Sequence, residues 1–382
     1  MAEPVIRGWC PGALRPMLSG DGWVVRLRVP MGRLSEDQAR GVAALARAHG
    51  NGLIDLSSRA NLQLRGVTEA GHTPLIHGLR ALGLVDDSAE TEARRNLTIT
   101  PFWQAGDATE RLAIDLTQAL VWDAPDLPGK FGFAADTGPS PVLQTTPADI
   151  RLERDTAGGL ILRADGMALG LPVGEATAVA QAMALARWFV ASGGMRDGRG
   201  RMAGLIAAGV RPDGHTVAPA QPALPPLPGD IAGGTLVALA FGQIEAGTLA
   251  LLADHGPIRL TPWRMLLVEG ATNLPMIPGL IRDADDPLLS VIACTGAPGC
   301  PQAFGSTRDI ARQLAPHLQG RLLHVSGCAK GCAHPRSADV TLTATGAGFD
   351  LIRGGIACAP PVRTGLTRDA LFARPATLFE CP

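Results

Sequence analysis

TLVALAFGQIEAGTLALLADHGPIRLTPWRMLLVEG, Thr235–Gly270, reads as strand, glycine, helix, strand, a Thr261-Pro262 link and strand again. The same order stands earlier in the chain. WVVRLRV (Trp23–Val29) alternates apolar and charged residues like a half-buried strand, and SEDQARGVAALARAHG (Ser35–Gly50) offers a Ser35 cap, an acidic first turn, helical apolar spacing and a closing glycine. LIDLSSRANLQLRGV (Leu53–Val67) then gives two short strands about a polar Ser57-Ser58-Arg59 link, with a helix to follow, and Gly242 answers Gly32. Repetition of a whole unit is a stronger guide to fold than local propensity. The chain therefore reads as two related halves, each a small α+β unit followed by a larger segment.

The expected division is 1–88 for the N-terminal segment and first unit, 89–215 for the first larger α+β segment, 216–232 for a Pro-rich linker, 233–286 for the second unit and 287–382 for the second larger segment. A strand pair is expected within Ala148–Gly166 and a long helix within Gly174–Gly194; a helix at Ser306–Leu318 and a strand at Arg321–Gly327 fall between the cysteines of the last segment. With 382 residues, 46% hydrophobic and 18% charged, the chain has the composition of an ordinary globular protein. A net charge of -1 gives no global attraction to nucleic acid or an anionic membrane. The first residues lack a basic stretch followed by an apolar core, and no apolar run approaches the ~18 residues that span a bilayer. A cytoplasmic location, with neither nucleic acid nor membrane as partner, is the expectation.

Seven cysteines occur, and Cys294, Cys300, Cys328 and Cys332 stand as C-x5-C and C-x3-C in Gly-rich loops. In a reducing compartment such a group points to metal ligation rather than to bridges. Zinc knuckles favour closer spacing, whereas an iron–sulfur cubane is a wider object held by four thiolates, so the cubane is the better fit. Zinc and incidental thiols stay open as alternatives. Cys10 is the one further thiol weighed as a ligand; Cys358 and Cys381 read as ordinary thiols.

The cysteine spacing, SSRANLQLRG (Ser57–Gly66), RRNL (Arg94–Leu97), LPGKFGF (Leu127–Phe133) and the doubled unit together resemble the sirohaem sulfite and nitrite reductase superfamily. The resemblance implies an α+β, pseudo-two-fold nitrite/sulfite reductase-like fold: a doubled ferredoxin-like domain and two larger α+β domains around a tetrapyrrole cleft, with a [4Fe-4S] cluster on Cys294, Cys300, Cys328 and Cys332. By motif, Arg59, Arg95 and Lys130 match the superfamily's two anion-binding arginines and first lysine, while Gly132 stands where a second lysine is expected. Within the superfamily, RGWCPGALRPMLSGDGWVVRLR (Arg7–Arg28) and the stretches Gly299–Ala311 and His324–Pro335 look most like the precorrin-3B synthase family of aerobic cobalamin biosynthesis. That likeness implies a monooxygenase that hydroxylates precorrin-3A, a tetrapyrrole polycarboxylate, at C-20 with O2 and closes the ring A acetate into a γ-lactone.

Guanidinium forks suit carboxylates, and Arg15, Arg26, Arg28, Arg59, Arg65, Arg94 and Arg95 are available in or just beyond the first unit. Arg26 and Arg28 read first as a solvated strand face, and Lys330 reads equally as a loop charge or a ligand contact. No catalytic residue is named by the sequence. The superfamily geometry would put a mononuclear non-haem iron near Cys332, yet the eight histidines show no 2-His-1-carboxylate spacing, and His324 and His334 read as satisfied structural histidines. Neither a dinucleotide fingerprint nor a P-loop is present, so NADH as ultimate donor implies a separate electron-donor reductase. A sirohaem-dependent sulfite or nitrite reductase is the alternative enzyme. A non-catalytic electron carrier or zinc-stabilised binding protein is the third reading.

Overall fold

A computed structural model describes residues 11–380. The first unit comprises β1 (Met17–Ser19), β2 (Gly22–Leu27), β3 (Arg33–Leu34), α1 (Glu36–His49), β4 (Leu53–Leu56), β5 (Leu62–Val67) and α2 (Glu69–Ala81). Helix α1 begins where its cap residues dictate: the Ser35 hydroxyl accepts from the Gln38 N–H and the Gln38 side chain accepts from the Ser35 N–H. Its Ala39, Val42, Ala43 and Ala46 stripe is buried, as helical spacing requires. The next segment holds α3 (Ala89–Arg94), β6 (Leu97–Ile99), α4 (Ala108–Trp122), β7 (Phe133–Asp136), β8 (Ile150–Arg154), β9 (Leu160–Ala164), β10 (Leu171–Pro172), α5 (Glu175–Ala191) and α6 (Met202–Ala207).

The second unit follows with β11 (Gly229–Ile231), β12 (Gly234–Leu239), β13 (Gln243–Glu245), α7 (Ala246–Leu252), β14 (Ile258–Leu260), β15 (Met265–Glu269) and β16 (Leu280–Ile281). The last segment carries β17 (Val291–Ala293), α8 (Arg308–Leu314), β18 (Leu323–Ser326), β19 (Ala338–Thr345), β20 (Gly348–Gly355), β21 (Arg363–Leu366) and α9 (Arg368–Ala373). Among the described residues no helix is long and apolar enough to cross a membrane.

The two small units exchange strands. One sheet runs β1-β2-β5-β4-β13 and the other β11-β12-β15-β14-β3, so each unit lends a short strand to its counterpart's sheet. Ile244 of β13 faces Ile54 of β4, and Leu34 of β3 faces Ile258 of β14, both antiparallel. The duplication reaches into the backbone. Met31 and Phe241 hold φ of 55° and 59°, the glycines after them are also left-handed, and Ala60 and Arg264 hold 53° and 61° at the links between the paired strands. Side-chain-bearing residues avoid that region, so matching exceptions at matching places mark one unit used twice. Leu27, Leu34, Val42, Ile54 and Leu64 share one core with Val237, Ile244, Leu249, Ile258 and Leu266.

Both larger segments also repeat a topology. Strands β6, β7 and β8 are parallel, with β9 and β10 added antiparallel; β17, β18 and β19 are parallel, with β20 and β21 antiparallel. Parallel neighbours need a crossover, supplied by α4 between β6 and β7 and by α8 between β17 and β18. Loops leaving the carboxyl ends of such strands are where open α/β sheets place ligands. In the last segment those loops carry the cysteines. In the first, the loop after β7 closes on its own buried carboxylate, Asp136, which accepts from the Val142 and Leu143 N–H groups at 2.6 and 2.9 Å.

Candidate functional site

Cys294 follows β17 directly, with Cys300 in the loop that leads to α8; Cys328 and Cys332 occupy the loop after β18. The first loop is held by its own backbone: Cys300 N donates to Gly296 O at 2.8 Å, Ala297 N to Gly305 O at 2.9 Å, and the buried Thr307 hydroxyl to Cys294 O at 2.6 Å. Gly296 has φ of +69°, and an added Cβ would lie 2.6 Å from the Thr307 Oγ1, so only glycine allows this curl. The second loop meets the first where Phe304 N donates to Gly327 O and Gly327 N donates to the Cys294 Sγ at 3.1 Å. A Cβ on Gly327 would sit 2.7 Å from the Ala303 Cβ and 3.4 Å from that sulfur, filling the space between the loops.

Four thiols in two interlocked loops fit the iron–sulfur cubane that the superfamily implies. Cys294, Cys300, Cys328, Cys332 and Cys358 are all free thiols, and Cys10 and Cys381 lie outside the described residues. Partial desolvation pushes up the thiol of Cys332, a residue otherwise exposed, against the pull of Lys330, and the charges of Cys328, Cys294 and Cys300 act in the same direction as the desolvation. Cys332 therefore feels the charge of the other three. Among the described residues no group of three or more His, Cys, Asp or Glu could hold a single metal ion, so ligands for a mononuclear iron are not assigned.

Of the three motif residues, Arg59 and Arg95 meet at one cavity, whereas Lys130 is joined to Arg59 only through its backbone carbonyl. Arg59, in the link after β4, donates from Nη2 to the Lys130 carbonyl at 2.9 Å, and Arg59 and Arg95 line one cavity of ≈ 30 Å³ with Arg28, Asn61 and Thr98. Arg95 is committed differently from the motif reading: its guanidinium grips Asp86 two-pronged at 2.6 and 2.7 Å and donates to Arg28 O at 3.1 Å. The Lys130 turn is fixed by Asn96, which donates to Phe131 O, and by Asp149, which accepts from Gly132 N. Lys130 itself is exposed. At Gly132 a Cβ would press on the Asn96 Nδ2 at 3.0 Å, so a lysine there would require Asn96 to shift.

The family described as the nitrite/sulfite reductase ferredoxin-like half domain matches residues 15–82. A precorrin-3B synthase of Sinorhizobium sp is 31% identical, the match covering 93% of this chain and 84% of that protein. The chain belongs to the precorrin-3B synthase family. A ferredoxin–nitrite reductase of Synechococcus elongatus is 26% identical over 86% of this chain and 77% of its own length. The structure of the NirA protein of Mycobacterium tuberculosis superposes with a TM-score of 0.61 at 18% identity, covering 93% of this chain and 79% of that one, and shows the shared nitrite/sulfite reductase-like fold.

Two further features distinguish this family member's site from the sequence reading. His334 is a satisfied histidine, its Nε2 within 3.2 Å of the Ser337 carbonyl. His324 is not: it is fully buried on β18, packs edge-on against the His334 ring at 5.6 Å, and neither ring nitrogen has a hydrogen-bond partner. Desolvation first, and the charge of His334 second, lower its pKa to about 4. Arg65 departs equally from its expected role, being buried and engaged by carboxylates. The sequence signal was present in both cases as a polar residue among buried strand positions, but the pattern does not tell that Arg65 meets Asp21 and Asp55 while His324 meets no hydrogen-bond partner.

Proposed function

We propose that the chain acts on precorrin-3A as the oxygenating enzyme of aerobic cobalamin biosynthesis, in the cytoplasm. One atom of O2 enters C-20 as a hydroxyl and the other leaves as water, taking up two electrons and two protons. The ring A acetate closes the γ-lactone by adding its carboxylate oxygen to the ring carbon next to C-20, the double bond between the two carbons being consumed and the carboxyl proton passing to the C-20 oxygen. The observation that carries this reading is the 31% identity with the Sinorhizobium enzyme over 93% of the chain.

The residues support it. Cys294, Cys300, Cys328 and Cys332 would hold the [4Fe-4S] cluster, which supplies electrons one at a time when bound. Arg59 and Lys130 would bind substrate carboxylates, and Arg95, already paired with Asp86, would shape the wall between them. With NADH as ultimate source, a separate reductase would deliver the electrons. The nitrite reductase relatives give the alternative, a sirohaem sulfite or nitrite reductase, its specific support; Gly132 in place of the second lysine weighs against it.

The test is anaerobic purification, counts of iron and sulfide, then incubation with precorrin-3A, reductant and labelled dioxygen. One labelled oxygen per product is expected; an unlabelled product overturns the oxygenase reading, and a Soret band with sulfite reduction installs the alternative. Arg59→Ala is expected to weaken binding of precorrin-3A by about 10–100-fold, the loss of one or two charge-assisted hydrogen bonds of roughly 1.5–3 kcal/mol, while the cluster spectrum stays unchanged. Joint loss of cluster and fold would make Arg59 structural.

A further inference from the structure

The loop between Cys294 and Gly305 is rich in glycine and proline and its two cysteines are only half-buried, so little of its own packing holds it. Besides its own backbone hydrogen bonds, the loop is held from the first small unit. The carbonyl of Gly299, the residue before Cys300, accepts three hydrogen bonds: from Ser19 Oγ at 2.7 Å, from Gly20 N at 3.1 Å and from Arg65 Nη2 at 3.3 Å. The tip of the β1–β2 hairpin is pressed against the same peptide, since a Cβ on Gly20 would lie 2.3 Å from Pro298 O and 3.1 Å from the Gly299 carbonyl carbon.

Arg65 is the centre of this grip. Its side chain is 7% exposed, its Nη2 and Nε meet Asp21 at 2.7 and 3.1 Å, and Asp55 lies 3.7 Å from Nε. Asp55 also accepts from Gln243 at 2.8 Å and from Arg308 Nη2 at 3.4 Å. Arg308 is the first residue of α8, just past the cysteine loop. A single network of two arginines and two aspartates, rooted on β4 and β5, therefore takes hold of the loop beside Cys300 and of the helix that ends it. A guanidinium buried this deeply is tolerated only when its charge and its donors are matched, and here one of those donors is aimed at the peptide of Cys300.

We infer that Arg65 is a positioning residue for the cluster: through Gly299 it sets where the Cys300 thiolate stands, and the ferredoxin-like unit thereby imposes its rigidity on the cysteine loop. This rests on the reading of the four cysteines as cluster ligands. Groups that orient metal ligands typically change metal affinity by about 10–100-fold when removed.

The experiment compares the full-length holoprotein with Arg65→Met, Arg65→Lys and Ser19→Ala, measuring iron and sulfide content, the rate of iron release to a chelator, the EPR spectrum of the reduced cluster and the thermal midpoint. Arg65→Met is expected to release iron about 10–100-fold faster with an altered EPR spectrum. Arg65→Lys should recover part of the loss, because lysine keeps the charge but not the fork. Ser19→Ala removes one donor from Gly299 O and leaves every charge paired, so it should accelerate release measurably on an intact fold, and it decides the matter if Arg65→Met does not fold. Release rates and EPR spectra equal to wild type in folded Arg65→Met, or in Ser19→Ala where that variant alone folds, overturn the inference. Wild-type protein prepared anaerobically without iron and sulfide overturns the cluster reading itself, a result separable from the first.

Discussion

Cys300→Ser is expected to lose the brown chromophore, all bound sulfide and all turnover. A serine hydroxyl does not ionise in the range where a thiolate forms, and it is a hard oxygen donor where the cubane requires a soft sulfur. The loop cannot substitute another thiol. Cys294 and Cys300 are fixed relative to each other by the Cys300 N to Gly296 O bond, and the second loop is locked to the first through Gly327 and Phe304. Cys358 is exposed on the stretch after β20, outside the two interlocked loops. Cys358→Ser is accordingly expected to keep colour and activity, which makes it the control. Iron, acid-labile sulfide and the visible spectrum are the measurements, with about four irons per chain in the wild type and background in the variant. A normal cluster spectrum in Cys300→Ser would remove that residue from the ligand set.

That the four cysteines lie in loops was legible, because those loops leave strand ends whose apolar pattern is local. The capping box of α1 belongs to the same class: Ser35 and Gln38 lie within one turn. The exchange of β3 and β13 between the two sheets was not legible, since strands of two and three residues have no periodicity to name their partner. The arginines show the limit most clearly. Arg59 and Arg65 occur in one ten-residue stretch with the same side chain, yet Arg59 reaches the Lys130 turn while the pleat turns Arg65 inward to Asp21 and Asp55. Arg95 carried a motif, and Asp86 nine residues upstream takes up its guanidinium. A motif reports residue type and spacing; whether a charge is available depends on which carboxylate the fold has already brought to it.

His324 yields the second large effect, an acid sensitivity that a leucine should remove. The imidazole is 0% exposed and without a hydrogen-bond partner, and its pKa falls to about 4 while an unfolded chain protonates near 6.5. Between those values the unfolded state binds the proton and the folded state does not, so stability declines as pH falls from 6.5 toward about 4, and this group contributes no pH dependence above that window. The linkage amounts to about 2 kcal/mol at pH 5 and about 3 kcal/mol near pH 4. His324→Leu abolishes the titration and removes two buried polar atoms from an unpaired setting, so at pH 7 the variant should be no less stable than wild type. Denaturation of both proteins under anaerobic conditions at pH 7 and pH 5 checks this: the difference between the two pH values should shrink by about 2 kcal/mol in the variant. Identical pH dependence in the two proteins would mean that His324 protonates in the folded state as readily as in the unfolded one, and the sealed, partnerless ring on β18 would have to be abandoned.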